Sequence, residues 1–405
     1  MSENFKCRIC YSSDLELVID LGNQPWCNNF LTIDEVGKEP FYPLNVLFCN
    51  NCNTSQLDYT VKKEIMFGDH TYLSGITTSL SKHFQGVAVD INNRFSVSSK
   101  KKKILDIGSN DGTQLKHFID LGWEVLGVES SKRISELALE NDVPTINKFF
   151  NLQTMKEINQ KFNVINAAGV FFHLEELHSV TEGIKFGLED DGVFVVQFLY
   201  MKSIMENNAF DQIYHEHLLY YTLETINKLL IQYDLEMFDA YLAPIHGGQM
   251  IGYVSHKKKY DKSSRYLKLV QEETESECNK IHSYKNFSNR IIDMKDENIK
   301  FLEKHKNNGK KILGLGAPVK GNTLLNYFNI GTNYLDYLLE KNQLRKNLYS
   351  PGKHIPIIME SKETLTADIY YVLAWNFKKE ILKNNKHLVE QGIEFYFPIN
   401  PKISA

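Results

Sequence analysis

Lys103-Ile-Leu-Asp-Ile-Gly-Ser-Asn-Asp-Gly112 decides the architecture of this chain. Its first half is β-branched and apolar, as a buried strand requires, and Thr113 to Leu121 then carries apolar residues at helical spacing. A glycine turn between strand and helix lets the backbone approach a ligand closely. Working outward, Trp123 to Glu129 reads as a second strand that ends in an acid. Phe162 to Ala168 reads as a third strand and Gly192 to Phe198 as a fourth, with a helix over Leu174 to Leu188 between them. Alternating strand and helix signals predict an α/β doubly wound sheet with its ligand over the carboxyl ends of the strands.

The chemistry of the turn narrows the ligand. A dinucleotide site favours G-x-G-x-x-G, whereas this turn is Gly108-Ser-Asn-Asp-Gly112. Aspartate sits poorly against a pyrophosphate but suits the cationic amino-acid end of S-adenosylmethionine (SAM), and an acid at Glu129 can take both ribose hydroxyls. The expected SAM contacts are Asp106, Gly108, Asn110, Asp111, Gly112, Glu129 and Ala168.

Bulk properties limit the alternatives. A chain of 405 residues exceeds what one core serves, so two or three domains are expected. With 46 basic and 50 acidic residues the net charge is -4, which argues against a nucleic-acid partner. The Lys100–Lys103 run reads as a solvated approach to a strand. No stretch is long and apolar enough to span a bilayer, and the first residues lack the basic-then-apolar design of a secretion signal, so a cytoplasmic location is expected.

Cys7-Arg-Ile-Cys10 and Cys49-Asn-Asn-Cys52 form two C-x-x-C pairs. Two such turns complete a tetrahedral thiolate shell, so Cys7, Cys10, Cys49 and Cys52 are expected to hold a structural zinc with no open position. A redox dithiol and a pair of disulfides are the competing readings. The second matching pair opposes the first, and a reducing compartment opposes the second. Cys27 and Cys278 read as buried, inert thiols.

Tyr214-His-Glu-His217 gathers a phenol, two imidazoles and a carboxylate in four positions. Histidine near a carboxylate suits general-base work, and a phenol can donate to an oxygen that gains charge. A His-x-His metal site is the weaker alternative, since no second ligand pair lies nearby. His173 follows the third strand, where such sheets place active residues, although a lone histidine is more often structural. Further on, Lys310 to Gly316 opens a second strand-turn-helix unit, and the charged stretch Tyr260 to His305 reads as helical connection.

These motifs, taken in order, closely resemble the SAM-dependent C-methyltransferases that act on nucleotide-linked 4-keto deoxysugars in branched-sugar biosynthesis. The resemblance spans nearly the whole chain. It rests on the Cys pairs, Leu21-Gly-Asn-Gln-Pro25 with Asn28, Tyr72-Leu-Ser74, the SAM turn, His173, Phe210 to His217 and His246-Gly-Gly248. It continues through Gly316-Ala-Pro-Val-Lys-Gly-Asn322, Pro351 to Pro356 and Trp375-Asn-Phe377. It implies that His217 removes the sugar proton, with Tyr72, His173, Tyr214 and Glu216 at the reacting centre and Glu216 supporting the histidines. It also implies that the last domain helps hold the nucleotide sugar, expected to be a dTDP sugar, with His246, Gly247, Lys320 and Asn322 as its contacts.

Two phrases depart from the family pattern. Leu335 to Asn342 stands where relatives carry valine-aspartate-arginine-asparagine, and Ala167 to Phe172 replaces an asparagine-rich version. Both bear on base and sugar more than on reaction type. The expected layout is a zinc-binding domain over 1–68, a SAM-binding methyltransferase domain over 69–258 and a Rossmann-like α/β domain over 259–405. The expected reaction is methyl transfer to carbon, at C3 beside a C4 ketone. An O- or N-methyltransferase and a non-catalytic sugar-nucleotide binder are the rivals.

Overall fold

The computed structural model describes residues 5–68, 73–76, 78–95, 102–361 and 363–399. In chain order the first stretch contributes β1 (Leu15–Pro25), β2 (Phe41–Cys49) and β3 (Ser55–Leu57). The middle contributes β4 (Lys103–Ile107), β5 (Glu124–Glu129), β6 (Thr145–Asn147), β7 (Phe162–Ala168), β8 (Leu188–Leu199), β9 (Leu219–Tyr220), β10 (Leu235–Ala243) and β11 (Gln249–His256). The last third contributes β12 (Ile312–Leu315), β13 (Leu338–Glu340), β14 (Ile357–Met359), β15 (Ile369–Val372) and β16 (Glu394–Tyr396).

The central sheet runs β10-β11-β8-β7-β4-β5-β6, parallel except that β11 lies antiparallel to β8 and β10. Strand β4 is buried from Ile104 to Ile107, as a strand covered by helices on both faces must be. Strand order reverses between β4 and β7, so a crevice opens beyond their carboxyl ends. The doubly wound reading holds, with two additions. Strand β6 lies between the second and third expected strands; its three residues are too short and too polar to leave a hydrophobic signal. The β10–β11 hairpin extends the other edge, and its strong burial marks it as core.

The expected connector resolves into two helices, Ser264–Glu275 and Ile281–Asn307, the second burying Tyr284, Phe287, Ile291 and Met294. Beyond it a five-stranded, wholly parallel sheet in the order β14-β13-β12-β15-β16 reverses between β12 and β15. This is a second Rossmann-like unit with its own crevice.

The small N-terminal sheet, β1-β2-β3-β9, is completed by a strand from the middle of the chain. Ser55 pairs with Tyr220 and Gln56 with Leu219. Because β9 begins two residues after His217, the tail of the candidate catalytic cluster is hydrogen-bonded into the zinc unit's sheet. Among the described residues no helix is long and apolar enough to cross a membrane.

Candidate active site

The turn after β4 is built to expose backbone. Gly108 has φ +68°, Asn110 +51° and Gly112 +78°, a left-handed run that glycine and asparagine tolerate best. A Cβ at Gly108 would lie 2.6 Å from Val170 Cγ2, so no other residue fits without displacement. At the end of β5 the Glu129 carboxylate accepts from the Asn110 amide (3.0 Å) and the Ser131 amide (2.8 Å), which fixes the acid against the turn.

Gly108, Asn110, Glu129 and Ala168 line a cavity of about 850 Å³. Asp106, Asp111 and Gly112 stand behind that lining and hold the turn in shape. Asp106 is buried and accepts from Asn166 Nδ2 at 2.6 Å; burial pushes its carboxyl up to about 7, against the pull of that bond. Asp111 accepts from the Gly75 amide (2.8 Å) and from the Thr113 hydroxyl (2.6 Å). A glycine turn bordering the cavity at the switch point, with an acid poised at the next strand, fits the amino-acid and ribose ends of SAM.

Across the cavity stand His173, Tyr214, Glu216 and His217. His217 Nδ1 lies 2.6 Å from the carbonyl of Gln212. A carbonyl only accepts, so Nδ1 carries the proton and Nε2 is the basic nitrogen of the neutral ring. His173 Nδ1 makes the same kind of bond to the backbone carbonyl of Glu216. The two imidazole centroids are 5.2 Å apart, and the Tyr214 ring lies 3.8 Å from that of His217. Burial, with the nearby Glu216 charge adding to it, pushes the Tyr214 phenol well above its ordinary range, so it stays a donor.

Glu216 is itself held from the zinc unit. Its Oε1 accepts from Trp26 Nε1 (2.7 Å) and Asn28 Nδ2 (3.2 Å), both from the zinc unit and both lining the cavity. At Nδ1 the two imidazoles are held by backbone carbonyls, His217 by that of Gln212 and His173 by that of Glu216 itself. Trp26 and Asn28 lie directly after the Leu21–Pro25 phrase, a signal that the sequence displayed without revealing its target. His215 points away from the reacting side: its Nε2 donates to the Pro43 carbonyl at 3.2 Å, and burial pulls its pKa down to about 4. It is a neutral structural histidine.

From the C-terminal unit, Lys320, Asn342, Arg345 and Asn376 reach the cavity. Lys320 is more enclosed than a phosphate anchor would be, with its ammonium 3.5 Å from Asp211 Oδ2 and 3.9 Å from the centre of the Trp375 ring. Asn322 is a correction: it was expected at the substrate, but it is buried and donates to the Cys27 carbonyl at 2.7 Å, tying the first and last units together. Gly247 has φ +90°, and a Cβ there would lie 3.8 Å from both Gln212 and Trp375. His246 lies on the same turn, with its side chain outside the described residues, and Tyr72 lies wholly outside them. Glu340 repeats the geometry of Glu129. At the end of β13 it accepts from the Ala317 amide (2.9 Å) of the turn after β12.

The four sulfur atoms of Cys7, Cys10, Cys49 and Cys52 lie within 4.8 Å of one another. Cys7 and Cys52 are 3.4 Å apart and Cys10 and Cys49 3.6 Å. Four thiolates around zinc at about 2.3 Å stand about 3.8 Å from each other, so the set fits a closed structural zinc. Cys27 and Cys278 are free and buried, as expected.

Three family models match in series: a zinc binding domain over residues 7–67, a methyltransferase domain over 81–240 and a C-methyltransferase C-terminal domain over 244–400. The C-methyltransferase NovU of Streptomyces niveus is 27% identical over 400 residues, spanning 97% of this chain and 95% of its own. Solved structures are similar more distantly. A SAM-dependent methyltransferase from Clostridium acetobutylicum ATCC 824 is 12% identical, covering 48% of this chain and 96% of its own at a TM-score of 0.37. The plantazolicin methyltransferase BpumL, solved with SAH, is 14% identical, covering 44% of this chain and 85% of its own at 0.36.

Proposed function

We propose that this chain is a SAM-dependent C-methyltransferase with a zinc-binding unit, and that its acceptor is a carbon alpha to the ketone of a nucleotide-linked 4-keto deoxysugar. The carbon is C3, and the nucleotide is dTDP. One observation carries the reading: His217 faces the cavity shared with the SAM turn, with Nδ1 committed to the Gln212 carbonyl. An oxygen or nitrogen acceptor already has a lone pair and needs at most one base. A carbon beside a carbonyl has none until its proton leaves, which accounts for so many polar groups around one cavity.

In this reading His217 Nε2 takes the alpha proton, a placed base being worth roughly 100- to 10,000-fold. The electron pair left on carbon spreads onto the ketone oxygen. Tyr214, held protonated, donates to that oxygen, and such donors commonly contribute on the order of 3 kcal/mol. His173, with Nδ1 fixed by the Glu216 carbonyl, binds the same oxygen as an imidazolium, donating from Nε2, and can relay that proton to it. Glu216 is held by Trp26 and Asn28 where it can steady the imidazolium that forms. SAM, when bound, supplies a methyl group on a sulfonium. The first unit (1–68) walls the site, the second (69–258) holds the methyl donor, and the third (259–405) grips the nucleotide sugar.

The test is exchange and product analysis. In heavy water without SAM, the wild-type enzyme should wash deuterium into the ketosugar. With SAM the product should gain about 14 daltons, with the new methyl on carbon by NMR. His217→Asn should abolish both while leaving SAM affinity nearly intact. A methyl found on oxygen or nitrogen would overturn the proposal.

A further inference from the structure

Asp211 opens a problem that the mechanism leaves unsolved. Its carboxylate is fully buried, accepts from Trp375 Nε1 at 2.7 Å and sits 3.5 Å from the Lys320 ammonium. The pair is poorly satisfied: among the described residues Asp211 Oδ1 and Lys320 Nζ are buried without a hydrogen-bond partner. Burial raises the Asp211 pKa and lowers that of Lys320, so each charge persists through the other. A buried pair with long, incomplete bonding is weak evidence for stability. Its place in the chain is more telling.

Asp211 is the middle residue of the 3-10 turn Phe210–Gln212. The next residue, Gln212, supplies the carbonyl that accepts from His217 Nδ1. The same turn is gripped a second time: Phe210 packs against Phe328 (5.2 Å) and Tyr327 (5.7 Å) on the helix Val319–Phe328 that carries Lys320. Trp375 comes from the opposite side of the C-terminal crevice, just beyond β15.

We propose that Lys320 and Trp375 act through Asp211 as positioning residues, a buried clamp by which the C-terminal unit sets the Gln212 carbonyl and so holds His217 in the tautomer with Nε2 basic. The role of His217 as base rests on the function proposed above; the clamp itself does not. It also explains why Lys320, expected at a phosphate, is turned toward a carboxylate beneath an indole ring. The pair acts on the reaction without touching the reacting atoms.

The decisive measurement needs no substrate. Zinc-loaded, full-length protein is labelled with 15N-histidine, and His217 is assigned by difference against His217→Asn. At a pH where the ring is neutral, the wild type should show a protonated Nδ1 and an unprotonated Nε2. In Lys320→Met and Trp375→Phe the two signals should move toward tautomer averaging, and Lys320→Arg should restore them. Turnover of a ketosugar should fall at least tenfold in kcat in Lys320→Met, with KM within twofold. Trp375→Phe keeps an aromatic ring but loses the fused pyrrole with its N–H, so it decides the question if Lys320→Met does not fold. Unchanged His217 signals in these variants would overturn the clamp, as would a loss confined to KM, which would return Lys320 to the substrate. Should the wild type methylate no ketosugar, the functional proposal falls while the NMR comparison still decides the clamp.

Discussion

Replacing Trp26 by Phe removes the indole N–H from the site, together with the fused pyrrole ring, and keeps an aromatic side chain. The indole nitrogen lies 2.7 Å from Glu216 Oε1, and Asn28 Nδ2 lies 3.2 Å from the same oxygen. Hydrogen bonds to a charged group contribute about 1.5–3 kcal/mol. Phenylalanine leaves the volume of the pyrrole empty, so stability should also fall by about 1 kcal/mol, a loss that the thermal melt separates from the barrier. If Glu216 must stay fixed as the imidazolium forms, the loss appears in the barrier. About 1.4 kcal/mol per factor of ten then predicts a kcat roughly 10- to 100-fold lower. The longer Asn28 bond predicts a smaller loss in Asn28→Ala. Because both donors share one oxygen, the double variant should fall short of the product of the two effects. Steady-state kcat and KM, the rate of deuterium wash-in and a thermal melt together read the result. Wild-type kcat and exchange in Trp26→Phe, with only a lower melting temperature, would refute the reasoning. The first unit would then be a support and not a wall of the site.

Three further outcomes follow from the geometry. Asp106, pushed from an ordinary 3.8 to about 7, keeps a proton that the unfolded chain releases. The associated stability is complete below about pH 4 and is lost as pH rises through 7, on the order of 4 kcal/mol in all. Urea unfolding of Asp106→Asn should lack that slope, and an unchanged slope would remove the claim. Gly108→Ala places a Cβ 2.6 Å from Val170 at φ +68°, so SAM affinity by calorimetry should weaken about tenfold and stability fall by about 1–3 kcal/mol. Val170→Ala should recover part of it, and full wild-type affinity in Gly108→Ala would show that the turn yields freely. Metal analysis should find one zinc per chain, and Cys49→Ser should lose the metal and turnover together, because Trp26 and Asn28 stand on that unit. Full activity in metal-free protein would contradict this.

What the sequence reveals is what lies close along the chain. The Cys pairs, the strand and turn from Lys103 to Gly112, and the cluster from Tyr214 to His217 are local patterns with local physics. The partners of Glu216 are not. Trp26 is 190 residues away, and only folding brings it there. Likewise nothing local distinguishes His215, buried against Pro43, from His217, which faces the cavity; the peptide direction between β8 and β9 decides. Asn322 misled because its motif lies beside Lys320, yet the helix turns its side chain toward Cys27. Short, half-exposed β6 and the antiparallel β10–β11 edge left no periodic signal distinct from their neighbours.

A single chamber bordered by Trp26 and by Phe377 has a temporal consequence. Contacts spanning so much sequence form late, since the ends of so long a loop must meet before they are rewarded. While the ribosome is still threading the second Rossmann-like unit, the nascent polypeptide can already fold its methyl-donor sheet but has no closed vessel around it. Competence therefore arrives in one step once the second Rossmann-like unit has emerged, and translation products that stop short of it should be inert.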